Sequence, residues 1–123
     1  MPGVAARDTV LVPGDVWLIF PRSRSDADNV LIVQNPLLSP VLSTVLVVPL
    51  LPVGQVDPAP SVIALPTEFT SFDARVAAVC HKMTWVRQAE LVHRLGSVSS
   101  VGLSLVYRAI RLLTDSEQPL QTG

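Results

Sequence analysis

Residues 43–50 read Ser43-Thr44-Val45-Leu46-Val47-Val48-Pro49-Leu50, and the fold is decided on this run. Thr44 to Val48 is β-branched apart from Leu46, and apolar after Thr44. Such side chains are stiff in a helix but pack well on a pleated surface. The run predicts the strongest strand of the chain, closed by Pro49, which has no N–H for a ladder.

The same pattern recurs on both sides. Towards the N-terminus, Pro13-Gly14 makes a turn and Asp15 opens a strand, Val16-Trp17-Leu18-Ile19-Phe20. It is apolar at successive positions, so both faces need cover and burial between two layers is expected. Pro21 stops it. Residues 22–29, Arg-Ser-Arg-Ser-Asp-Ala-Asp-Asn, form a polar loop, and Val30 to Val33 is the next strand. Residues 36–43 carry two prolines and two serines and read as a turn or short 3₁₀ piece. Thr9 to Val12 is a candidate edge strand.

Towards the C-terminus, residues 51–60 hold three prolines, a glycine and an aspartate, the composition of an exposed loop. Ser61 to Leu65 is a strand ended by Pro66, and Thr67 to Asp73 a turn region. Arg75 to Cys80 is a strand that could continue to Met83. Val86 to Leu91 suggests a single helical turn, and Val92 to Val98 a last short strand. Ser99 or Ser100 then caps a helix running to about Leu113. Leu103, Val106, Tyr107, Ile110 and Leu113 share one face of it.

Five to seven short strands followed by one helix must curl or close to protect their edges. The expected class is mainly β (α+β): an SH3-like small barrel of five to seven antiparallel strands with a C-terminal α-helix. The boundaries are a flexible N-terminal arm at 1–12, one domain at 13–114 and a disordered tail at 115–123.

Composition narrows the function. The chain has 123 residues, 49% apolar and 15% charged, with net charge −1. One domain of this size can bury its own core, and the apolar excess suggests a subunit interface as well. The net charge gives no global nucleic-acid signature. Between Ala74 and Arg111, however, Arg75, Lys82, Arg87, Arg94, Arg108 and Arg111 face only one acid, Glu90. That is either a solvated face or a surface for phosphates or an acidic partner. Cys80 is the single cysteine, so no intrachain disulfide forms; it reads as a buried small hydrophobe in a reducing, cytoplasmic protein. No signal peptide or membrane span is evident. Two histidines and one cysteine lack ligand spacing, so no metal is expected. No phosphate-binding glycine loop is present, and no cofactor is expected. Trp17 and Trp85 read as core or interface residues; base stacking by Trp85 is the sharper alternative.

Three stretches together resemble the MazF/PemK family of toxins. They are Gly14-Asp15-Val16-Trp17; Val30-Leu31-Ile32-Val33-Gln34-Asn35 with Ser43 to Leu50; and Leu91-Val92-His93-Arg94-Leu95-Gly96-Ser97-Val98-Ser99 leading into the helix. The order and spacing cover residues 13–113. The related gyrase poison CcdB shares the fold. Val47-Val48-Pro49-Leu50-Leu51-Pro52 looks at least as much like that branch, whereas Gly14 to Trp17 leans towards MazF/PemK. The gyrase contact of CcdB resembles a Trp-Gly-Ile ending, and this chain ends Gln121-Thr122-Gly123.

The resemblance implies a homodimeric, metal-independent endoribonuclease that cuts single-stranded RNA (mRNA), the toxin of a type II toxin–antitoxin system held in check by a cognate antitoxin. In that family an arginine just before the second strand and a threonine just after the third carry the chemistry. The ribose 2′-OH attacks the adjacent phosphate, and the arginine offsets the growing charge. Here the resemblance puts Asp28 at the arginine position and Leu51 at the threonine position. Arg22 and Arg24, in the same loop, are candidates for the arginine's role. Ser43 or Thr44 could offer a hydroxyl, although both lie at the far end of the strand from Leu51. His81, of the residue type that titrates near neutrality, is a candidate general base at a strand end near the groove. Lys82, Thr84 and Arg87 are candidate RNA contacts. A non-catalytic binder of gyrase or another protein is the alternative.

Overall fold

The computed structural model describes residues 11–20, 28–38 and 40–114. Among the described residues there are seven strands: β1 (Asp15–Ile19), β2 (Asn29–Ile32), β3 (Thr44–Pro52), β4 (Val62–Leu65), β5 (Val76–Val79), β6 (Thr84–Arg87) and β7 (Leu91–Ser97). One helix, α1 (Ser100–Thr114), follows them. All pairings are antiparallel, in the order β4-β5-β3-β2-β1-β7, with β6 also on β3. The architecture is the expected mainly-β barrel with a C-terminal helix.

β3 is the hub. One of its edges pairs with β2 from Val47↔Ile32 to Leu50↔Asn29. The other is shared: Thr44 to Val47 pair with β6 and Leu50 to Pro52 with β5. The strand therefore does not stop at Pro49, as the sequence suggested, but runs through it. The Val33 amide donates to the Leu46 carbonyl, 3.1 Å away, so even-numbered residues of β3 turn their backbone groups to β2. Pro49 thus faces the other edge, at the gap where β6 has ended and β5 has not begun. No ladder bond is lost there.

The continuous strand expected from Arg75 towards Met83 is instead broken. A 3₁₀ turn, Cys80–Lys82, inserts between β5 and β6, and the register jumps from Leu50↔Ala78 to Val47↔Thr84. The helical turn expected over Val86 to Leu91 is shorter: Val86 and Arg87 belong to β6, and only Gln88–Glu90 form a 3₁₀ turn. Val86 is drawn into the sheet by its pairing with Val45. The candidate edge strand at Thr9 to Val12 falls partly outside the described residues, and within them Leu11 and Val12 are not in a strand. The tail at 115–123 also lies outside them.

Strand alternation sorts the apolar side chains into two cores. Val16, Leu31, Val48, Leu50, Leu65 and Ala78 pack with Val106 and Ala109 of α1. Trp17, Ile19, Val30, Ile32, Val45, Val47, Val86 and Leu91 fill the opposite face, joined by Leu11. Both faces of β1 to β3 are therefore buried, which is why these strands read as unbroken apolar runs. Each fully buried Val, Leu or Ile contributes about 1.5–3 kcal/mol over an exposed one. Ser99 Oγ accepts the Gly102 amide at 3.2 Å, making Ser99 the cap of α1.

The turns hold the barrel ends. Gly14 has φ +98°, a backbone state that a side chain would strain. Its amide donates to Ile32 and its carbonyl accepts from Val98. At the other end, Gln88 donates through its amide to Ser43 and through Nε2 to Leu42. The Glu90 carboxylate accepts the Arg87 amide at 2.9 Å. These bonds fix the turn that passes the chain from β6 to β7.

Candidate functional site

The register brings the two family positions together. Asn29 pairs with Leu50, and one further step along the ladder sets Asp28 opposite Leu51. The Asp28 carbonyl accepts the Ile19 amide at 2.9 Å, which holds that residue at the barrel rim. On its other edge Leu51 pairs with Ala77. Leu50 packs towards α1, so by strand alternation Leu51 lies on the opposite sheet face.

A groove of about 360 Å³ opens on that face. Leu51, Val62 and Val79 line its base, and the loop from Gln55 to Ala59 forms one wall. His81 and Lys82 line it as well, carried there by the 3₁₀ turn after β5. Burial and the sheet register explain the placement. Val62 pairs with Val79, and the Cys80 amide donates to the Ser61 carbonyl at 2.9 Å, one step beyond. The chain then bends, with the Met83 amide on the Cys80 carbonyl, so His81 folds back over the start of β4. There His81 Nδ1 lies 2.7 Å from Ser61 Oγ. The ring is exposed while Ser61 is only 9% exposed.

The other candidates do not join this cluster. Thr84 opens β6 opposite Val47, on the same sheet face as Leu51 but outside the groove lining. Arg87 lies at the far end of β6, about 10 Å beyond Thr84 at the usual strand rise. It lines a separate cleft with Val41, Leu42, Ser43 and Gln88. Ser43 and Thr44, at that same end of β3, are remote from Leu51. Arg22 and Arg24 fall outside the described residues. The six basic residues between Ala74 and Arg111 are all exposed but do not gather in one patch: Arg108 and Arg111 line a third cleft beside Pro60 and Ile63.

Trp17 is buried, as its strand implied, with Nε1 lacking a hydrogen-bond partner among the described residues. Trp85 departs from the core reading: it is 49% exposed on β6, opposite Leu46. Cys80 is buried, and burial pushes its thiol from 9.0 up to about 11, which leaves it un-ionised near neutral pH. Among the described residues no group of three or more His, Cys, Asp or Glu could hold a metal ion, and no helix is long and apolar enough to cross a membrane. Ser61 was not singled out by sequence. It stands 20 residues from His81, with only a strand start to mark it.

Residues 13–114 match the sequence profile of the PemK-like, MazF-like toxins of type II toxin–antitoxin systems. The chain belongs to this family. No curated protein matches it. Among solved structures, the fold of this PemK/MazF-like chain is similar to an endoribonuclease from a mycobacterial species. The TM-score is 0.72 at 18% identity, over 90% of this chain and 97% of the other. A mycobacterial endoribonuclease in complex with its cognate antitoxin gives TM-score 0.72 and 18% identity over 89% and 99%. MazF from Deinococcus radiodurans gives 0.67 and 15% over 88% and 99%. At such identities the likeness is one of fold.

Proposed function

We propose that this PemK/MazF-like toxin is a metal-independent endoribonuclease that cuts single-stranded RNA in the groove based on Leu51. The observation that supports it is a convergence: Leu51, which the sheet register sets opposite Asp28, lines a groove that also takes in His81 and Lys82. His81 Nε2 takes the proton of a ribose 2′-OH, whose oxygen bonds to the adjacent phosphorus. The bond from phosphorus to the 5′-oxygen breaks, and that oxygen takes a proton from solvent. Lys82 contacts the phosphate, with Arg22 or Arg24 supplying the charge that the family draws from its arginine. Thr84 and Arg87 contact the strand further along. The protein acts in the cytoplasm as a homodimer, and a cognate antitoxin restrains it. The antitoxin complexes of the mycobacterial and Deinococcus proteins support that last point.

The purified toxin, given a mixed-sequence RNA with chelator present, should release fragments ending in 2′,3′-cyclic phosphate. RNA left intact at high protein concentration would overturn the reading. A second reading, a non-catalytic toxin acting on gyrase or another protein, is favoured by one observation: Leu51 and Asp28 offer neither a hydroxyl nor a cation. Growth arrest with intact RNA is its signature.

A further inference from the structure

Ser61 Oγ lies against one ring nitrogen of His81, and His81 lines the groove. We propose that Ser61 is a positioning residue for His81: its hydroxyl accepts the Nδ1–H, which fixes the tautomer and leaves the Nε2 lone pair facing the groove. The inference deepens the ribonuclease reading above and rests on it for its chemical meaning.

An exposed imidazole on a turn is free to rotate and, when neutral, carries its proton mostly on Nε2. A base needs the opposite: the proton parked on Nδ1 and an open lone pair at Nε2. A hydroxyl that accepts at Nδ1 selects that tautomer, and holding the ring costs rotamer freedom that is then not lost in the reaction. Ser61 is suited to the role because it is itself fixed. It is nearly buried, its carbonyl accepts the Cys80 amide at 2.9 Å, and the next residue, Val62, donates its amide to Ala59 at 3.0 Å. The two side chains meet because the 3₁₀ turn Cys80–Lys82 returns the chain over β4. A hydroxyl is also neutral. The charged and titratable groups around His81 are Asp57 and Lys82, which line the same groove, and the buried Cys80 beside it in sequence.

Only two histidines occur in the chain, so imidazole ¹⁵N spectra of the full-length toxin are readable, with a His93→Gln variant for assignment. With the ring neutral, His81 should show protonated Nδ1 and bare Nε2. Ser61→Ala should return it to the Nε2–H form, and Ser61→Thr, which keeps the hydroxyl, should preserve the native form. Where RNA is cut, Ser61→Ala should lower kcat roughly tenfold with KM unchanged, a fraction of what a general base contributes, and Ser61→Thr should restore most of it. A wild-type His81 in the Nε2–H form, or a Ser61→Ala variant with unchanged tautomer and kcat, overturns the proposal, even if RNA is cut. A fixed Nδ1–H tautomer in a protein inert towards RNA overturns the ribonuclease reading and leaves Ser61 as the residue that orients His81.

Discussion

Tyr107 of α1 donates its hydroxyl to the carbonyl of Val33, 3.0 Å away, just past the end of β2. The bond locks the helix to the sheet at the point where β2 leaves the ladder with β3. Tyr107→Phe keeps the ring in the core and orphans one carbonyl. It should cost about 1 kcal/mol, seen as a fall in Tm of about 4 °C. An unchanged Tm would mean that the bond contributes nothing net.

Burial also pushes the Tyr107 phenol above its ordinary value, and the Cys80 thiol from 9.0 to about 11. In both, the folded protein holds its proton more tightly than the unfolded chain. Their contribution to stability is therefore complete below the unfolded values and is lost as pH rises through the folded ones. For Cys80 the loss spans pH 9 to about 11. Chemical denaturation across that window should show falling stability, and Cys80→Ala should flatten it. In the native protein at about pH 8, below the ordinary thiol value, a thiol reagent should leave Cys80 untouched until denaturant is added. Rapid labelling without denaturant would show that the thiol is accessible after all.

Gly102 is needed for close approach rather than for backbone freedom. A Cβ added there would stand 2.6 Å from Val98 Cγ1, 3.3 Å from Phe69 Cβ and 3.4 Å from Leu65 Cδ2. Gly102→Ala gains about 1 kcal/mol of helix propensity, against about 1–3 kcal/mol for overpacking a filled core. The net effect should be destabilising by about 1 kcal/mol, whereas Ser104→Ala, on the exposed side of the same turn, should be neutral or slightly stabilising. A Gly102→Ala protein more stable than the wild type would show that α1 can shift outwards at little cost.

Local pattern made much of this legible. Val16 and Trp17 enter separate cores, as a strand apolar on both faces requires. Leu103, Val106, Tyr107 and Ile110 face the sheet at the spacing the helix imposed; Leu113, one turn further, is 45% exposed because the sheet no longer underlies it. What stayed hidden was non-local. Pro49 looked like a stop because only the register with β5 and β6 reveals that its missing amide is not needed. Val86 looked helical because its partner, Val45, is 41 residues away. The contact between Ser61 and His81 depends on the β4–β5 pairing and on a turn that the strand pattern of Arg75 to Met83 concealed.

The pairing of β2 with β3 sets Asp28 opposite Leu51, so the groove can be tested by supplying what the family carries there. Asp28→Arg with Leu51→Thr places a cation and a hydroxyl at neighbouring points of the sheet, the hydroxyl in the groove that His81 lines. If the scissile phosphate seats in this groove, the double variant should cut RNA at least about tenfold faster than the wild type, since one well-placed donor is worth about 10²–10³ in rate. Each single change should give less than the pair, because an added charge without a proton carrier, or the reverse, completes only half of the site. The Leu51 side chain is half-buried, and its loss should cost about 1 kcal/mol of stability, so Tm must be followed alongside the rate. A folded double variant with no gain in cyclic phosphate release would place the RNA elsewhere on the molecule.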